Sequence, residues 1–215
     1  MDKTPSVYEK QHDEREEAIL SATKQLALEK GLAGITMGEI AKRSKVSRQR
    51  LYLYFPNTDA LFYRIQIQDI SAFLAFVKST LASLKGQSGK ESLLALTDAV
   101  FSYRKRQSED FLFTNEFDTY YRARRANEAL RKEYEMTYKD NGFHEALLTF
   151  FKDGIAKGDF RADLIPEDAA FFWANTLQLI HERLSIFEHN GETHAQEEAA
   201  LYEREALKAL TSYLI

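Results

Sequence analysis

Cysteine is absent from this chain of 215 residues, which excludes disulfides and Cys-ligated zinc and is compatible with a reducing cytoplasm, the expected location. Only three prolines and nine glycines are present. That leaves little of the turn chemistry a many-stranded sheet needs. No apolar run approaches the ~20 residues that cross a bilayer. The opening Met-Asp-Lys-Thr-Pro-Ser lacks the pattern of a signal peptide. Groupings that carry chemistry are missing too. His181-Glu182 is not followed by the second histidine of a helical zinc site, and Gly86-Gln-Ser-Gly89 lacks the spacing of a nucleophile elbow. There is no Gly-Lys-Ser/Thr phosphate loop, and the five histidines are scattered. No enzyme activity, cofactor, metal or membrane partner is expected.

What is present favours helix. Apolar residues make up 44% of the chain, enough for a sizeable core, and Ala, Leu, Glu and Lys are abundant. Net charge is −4 and unevenly spread. Residues 1–55 hold 10 Lys and Arg against 8 Asp and Glu, whereas residues 56–215 hold 19 against 25. Between Ile40 and Thr58 stand Lys42, Arg43, Lys45, Arg48 and Arg50 with no acidic residue. Cations gathered on short helices of an anionic chain point to a phosphate-facing surface.

Local signals place these cations. Residues 1–14 are polar and without periodicity, which predicts a mobile arm. Ile19, Ala22 and Leu26 recur at helical spacing beside Ala18 and Leu20, predicting a helix over 14–30 that stops at Gly31. Thr36-Met-Gly-Glu39 reads as a capping box opening a helix over 37–43. Ser44-Lys-Val46 makes a tight turn, and Ser47 caps a third helix over 48–55 that Pro56 ends. Two short helices joined this way form a helix-turn-helix. Asn57 or Thr58 then caps a long helix over 58–84. Further helices are predicted over 90–106, 109–124, 126–157, 166–188 and 195–213. Their breaks fall at Gly86–Gly89, Gln107-Ser108, near Arg125, at Gly158–Ile165 and at Asn190-Gly191. Asn141-Gly142 is a possible further break.

From Glu16 to Arg64 the chain resembles the DNA-binding domain of the TetR family of bacterial transcription regulators. The matching residues are Ala22, Gly31, Thr36, Ile40-Ala41, Val46-Ser47, Leu51-Tyr52, Tyr54-Phe55 and Leu61. The resemblance implies an all-α fold. It has an N-terminal three-helix helix-turn-helix DNA-binding domain over 15–57 and a larger C-terminal helical ligand-binding and dimerisation domain over 58–215. Lys45 stands where the family usually has Gly, Gln49-Arg50 replace Gly-Thr, and Thr58 replaces Lys. Arg48, Gln49 and Arg50 then occupy the first turn of the recognition helix. There Arg suits guanine O6 and N7, and Gln suits adenine N6 and N7. The resemblance places Tyr52 and Tyr54 against the DNA backbone. Thr36 and Ser47 can offer donors to phosphates, and Lys42, Arg43 and Lys45 supply non-specific grip.

Beyond Arg64 the likeness is architectural. Gly154-Ile-Ala-Lys-Gly-Asp-Phe-Arg161 followed by Pro166 is similar to a stretch found in many family members. The resemblance implies a homodimer through the helices 166–188 and 195–213. The first carries Ala170, Phe171, Leu177, Ile180, Leu184 and Phe187. It also implies a palindromic double-stranded operator, whose half-sites lie about 34 Å or a multiple apart. A small-molecule effector is implied as well. Tyr103, Phe113, Phe117, Tyr120, Tyr121, Trp173, Gln178 and His181 are the candidate contacts, a composition suited to a lipophilic ligand. The same residues also fit an aromatic helical core. The function expected is a sequence-specific DNA-binding repressor released by a lipophilic effector. The alternative is a helical carrier that sequesters such a molecule without specific DNA binding.

Overall fold

The computed structural model describes residues 6–122, 124, 127–139, 141–189 and 195–215. Among them are ten α-helices, one 3-10 turn at Leu32–Gly34 and no strand. The helices are α1 (Val7–Lys30), α2 (Met37–Arg43), α3 (Arg48–Tyr54), α4 (Thr58–Ser83), α5 (Gly89–Arg106), α6 (Ser108–Arg122), α7 (Glu128–Lys139), α8 (Phe143–Lys157), α9 (Pro166–His189) and α10 (Ala195–Leu214). Phe55 leaves the helical region at φ −137° and ψ 121° because Pro56 follows it. Asn57 caps α4 by accepting from the Ala60 N–H at 2.9 Å.

Several expectations need correction. α1 begins at Val7, so residues 7–14 are helical rather than a loose arm. Once a helix exists, each added residue gains a bond cheaply, and the His12 ring stacks on Tyr54 at 4.7 Å. Residues 1–5 lie outside the described residues, as do the breaks expected at Arg125 and Asn190-Gly191 and the side chain of Phe187. The helix expected over 126–157 is two helices, because Gly142 adopts a left-handed φ of 68°. α4 is long and apolar enough to match a bilayer-crossing helix by length and composition, contrary to the reading of the sequence. Its apolar side chains are core residues instead: Leu61, Phe62 and Ile65 in one cluster, Val77 and Leu81 in another.

Two compact units result, Met1–Asp69 with Phe113–Glu135, and Ile70–Leu112 with Met136–Ile215. The boundary expected at 57/58 is therefore displaced. The reason lies in the first unit's core. Leu26 of α1 and Ile40 and Leu51 of the two short helices share one cluster with Leu61 and Phe62 of α4 and with Phe113 and Phe117 of α6. Each such buried side chain stabilises by roughly 1.5–3 kcal/mol. Within this unit Lys24 of α1 pairs with Asp69 of α4 at 2.8 Å, both largely shielded.

In the second unit, α8 ends in a Schellman turn. Gly158 is left-handed at φ 78°, and the Asp159 N–H reaches the Gly154 carbonyl at 2.9 Å. The turn folds Phe160 back onto Gly154, where a Cβ would lie 2.3 Å from the ring. Gly154 and Gly158 thus have separate reasons, close approach and backbone sign. Arg104 of α5 is fully buried and pairs with Glu203 of α10 at 2.9 Å. His181 of α9 is buried and packs roughly perpendicular to the rings of Phe101 and Phe111, at 5.1 and 5.3 Å between ring centroids.

Burial pulls the His181 imidazole down to about 3, and the Arg104 guanidinium adds to the shift. A histidine in the unfolded chain takes up its proton near 6.5. Between these values the unfolded state binds the extra proton, so stability is lost as pH falls below about 6.5. Chemical unfolding at pH 7 and pH 5 should show the loss of stability between them reduced by about 2 kcal/mol in His181→Leu. An unchanged loss would mean that His181 is protonated inside the fold.

Candidate nucleic-acid interface

The helix-turn-helix is built by backbone-local chemistry. Thr36 and Glu39 form a complete capping box: the Glu39 N–H donates to Thr36 Oγ1 at 3.3 Å, and the Thr36 N–H donates to Glu39 Oε2 at 3.0 Å. Lys30 pairs with the same carboxylate. Lys30 first, then Thr36, hold the Glu39 carboxyl down at about 2. The Thr36 hydroxyl also donates to Glu39 at 2.7 Å, so its role here is the cap rather than a free donor. At the other end of α2 the Val46 N–H reaches the Ala41 carbonyl at 3.1 Å and the Lys45 N–H reaches Lys42 at 3.4 Å. This is a Schellman turn whose left-handed position, φ 57°, is filled by Lys45. Among the described residues Lys45 is the non-glycine with positive φ.

Ser47 starts α3 by accepting from the Arg50 N–H at 3.2 Å. Leu51 is fully buried and Phe55 nearly so, which fixes which way the helix faces. Arg48, Gln49, Arg50, Tyr52 and Leu53 are all exposed. At 100° per residue, Gln49 and Leu53 lie opposite the buried line, with Arg48 and Arg50 on its flanks. The Arg48 guanidinium sits 6.0 Å from the Tyr52 ring centroid. Lys42 and Lys45 are exposed as well. Arg43, expected to grip phosphate, instead forks onto Glu29 of α1 at 2.7 and 2.6 Å. Tyr54, expected against the DNA backbone, is half-buried against the core and stacked on His12. Sequence reasoning places Leu51 in the core, as found, but assigns nothing to Leu53, which no motif position marks.

The candidate effector contacts divide between the units. Phe113, Phe117, Tyr120 and Tyr121 belong to the first. Phe117 and Tyr121 line a cavity of about 710 Å³ with Tyr63 and Tyr134, edged by Asp118, Arg122 and Arg131. Phe113 is fully buried core, and Tyr120 packs edge-on to Phe62 beneath Arg124. In the second unit Trp173 is buried and donates to Thr97 at 3.1 Å. Tyr103 packs on Phe76, and Gln178 donates to Glu182 at 3.1 Å. His181 is core, as described above. Among the described residues no group of three His, Asp or Glu side chains is placed to hold a metal.

A capped helix-turn-helix whose reading helix exposes cations, an amide and no acid belongs to a DNA-binding transcription regulator. Residues 19–65 match the model of the bacterial regulatory proteins of the tetR family. The uncharacterised helix-turn-helix transcriptional regulator YfiR of Bacillus subtilis is 26% identical over 211 residues, covering 96% of this chain and 98% of that one. The fold is that of two solved regulators. The fatty acid degradation regulator FadR of Bacillus halodurans has TM-score 0.67 and 19% identity, covering 98% of each chain. FadR of Bacillus subtilis, in complex with stearoyl-CoA, has TM-score 0.69 and 18% identity, covering 93% of this chain and 99% of that one. The chain is thus similar to the tetR family over its helix-turn-helix segment. It is a regulator and not an enzyme, and the carrier reading is not favoured.

Lys45 sets backbone comfort against charge. Lys45→Gly should raise stability in urea unfolding by up to about 1 kcal/mol, the left-handed penalty less glycine's greater freedom when unfolded. The same change should flatten the dependence of log affinity on log salt by about 0.9 per lost phosphate contact. A variant less stable than the parent would show that the lysine side chain, not its backbone, holds the turn.

Proposed function

We propose that the protein is a homodimeric repressor that leaves a palindromic operator when a small lipophilic effector binds. The observation that carries the DNA-reading part is the free outer face of α3, with Gln49 central and Arg48 and Arg50 beside it. Gln49 is assigned to adenine and one of the arginines to guanine, the other holding phosphate. Lys42, Lys45, Ser47 and Tyr52 position the helix on the backbone. The protein works in the cytoplasm, where its operator is.

Dimerisation is supported by what α9 and α10 leave in water. Phe171 is 71% exposed and Leu179 65%, and Leu201 and Tyr202 of α10 are also exposed. Large apolar side chains left exposed on two packed helices suit a contact surface. Two recognition helices on a two-fold axis are also what a palindrome requires.

The effector site is assigned to the aromatic cavity of the first unit. Stearoyl-CoA in the Bacillus subtilis relative supports a lipophilic ligand. Tyr121, on the cavity wall, donates to Asp59 in the first turn of α4 at 2.7 Å. α4 starts four residues after the last residue of α3. A ligand that moves Tyr121 therefore acts at the segment joined to the recognition helix. It shifts the equilibrium only if it binds the two states differently.

Titration against the DNA upstream of its own gene, in rising salt, tests the reading. Sequence-dependent affinity is expected, and equal affinity for all duplexes would overturn it. Arg50→Ala should cost roughly 1–3 kcal/mol and relax preference at one position per half-site. In sedimentation equilibrium the parent should be a dimer and Leu179→Glu a monomer; a dimeric variant would place the interface elsewhere.

A further inference from the structure

Leu53 is 81% exposed, more than any other large apolar side chain among the described residues. Isolated surface leucines are ordinary. This one is distinguished by its place. It lies one helical turn after Gln49, on the side of α3 opposite buried Leu51 and Phe55, and its flanking neighbours are Arg50 and Tyr52. That face is the part of the protein assigned above to the major groove, and the inference rests on that assignment.

A leucine side chain has no donor or acceptor. It cannot read a base edge by hydrogen bonding, and a phosphate gives it no favourable partner. The major-groove edges of the four base pairs carry one apolar group, the C5-methyl of thymine. Contact between the two removes apolar surface of both from water. We infer that Leu53 is a specificity residue that selects thymine through its C5-methyl. Gln49 and Leu53 are about 6 Å apart along the helix axis. Base pairs rise about 3.4 Å, so the thymine falls within about two base pairs of the base that Gln49 meets. Leu53 thereby extends the reading surface from the first turn of α3 into the second, with an apolar contact beside a polar one.

The test separates the methyl from every hydrogen bond. The full-length protein is used to enrich an operator from random duplex DNA, and each thymine of that operator is then replaced singly by deoxyuridine. The replacement keeps the base's hydrogen-bonding groups and removes only the methyl. At one position per half-site it should weaken the parent by about fourfold, the factor for burying one methylene-sized group. Leu53→Ala, whose change lies in solvent, should bind the thymine and uracil operators equally. Thermal unfolding should confirm that this variant is folded as the parent is. Uracil effects of equal size in parent and variant, or no thymine sensitive to loss of its methyl, would overturn the role of Leu53 alone. Failure to enrich any sequence would overturn the regulator reading and this inference with it.

Discussion

A helix of seven residues does not hold itself in water, because nucleation costs more than so few hydrogen bonds return. α3 exists through the burial of Leu51, with Phe55 at its exit. Every functional property of the reading surface depends on that anchor. It fixes the rotation of the helix, and so decides that Arg48, Gln49, Arg50 and Leu53 face outward. The Ser47 cap, typically worth about 1 kcal/mol, sets where the helix starts rather than whether it exists. The Schellman turn at Lys45 sets its direction relative to α2. α1, α2, α4 and α6 contribute to the same cluster, which is why the compact unit around α3 extends well beyond the helix-turn-helix.

Charge is used in two ways that the sequence does not separate. Lys42, Lys45, Arg48 and Arg50 are exposed. Arg43 stands among them in the chain but ties α2 to Glu29 of α1. Lys30 supports the Glu39 cap. Deep in the second unit, Arg104 joins α5 to α10 through Glu203, which also accepts from Lys105. Removing one member of so buried a pair leaves the other charge stranded. Counting cations between Ile40 and Thr58 therefore overstates the charge available to a polyanion.

What the sequence made legible is what is local. The capping box at Thr36 and Glu39, the turn at Lys45, the stop at Pro56 and the starts of α3 and α4 each depend on residues within a few positions. What it hid is pairing at a distance. Arg104 and Glu203 are 99 positions apart, and nothing in either segment marks one for the other. The aromatic run from Phe111 to Tyr121 announces a core but not which core. Its early member Phe111 faces His181, while Phe117 faces Tyr63. The close approach of Phe160 explains Gly154 only once the turn at Gly158 is seen.

The clean division of α3 into an anchored face and a free face has a consequence for descent. Leu51 and Phe55 hold the fold, while Arg48, Gln49, Arg50 and Leu53 take no part in the core. Exchanges at those four positions leave the scaffold untouched, so under the DNA-reading role proposed above target choice can drift at little risk to folding. Copies of such a gene within one genome can part company in what they read after very few changes. Insulation between sister regulators, rather than shared targets, is the natural outcome of a reading helix built this way.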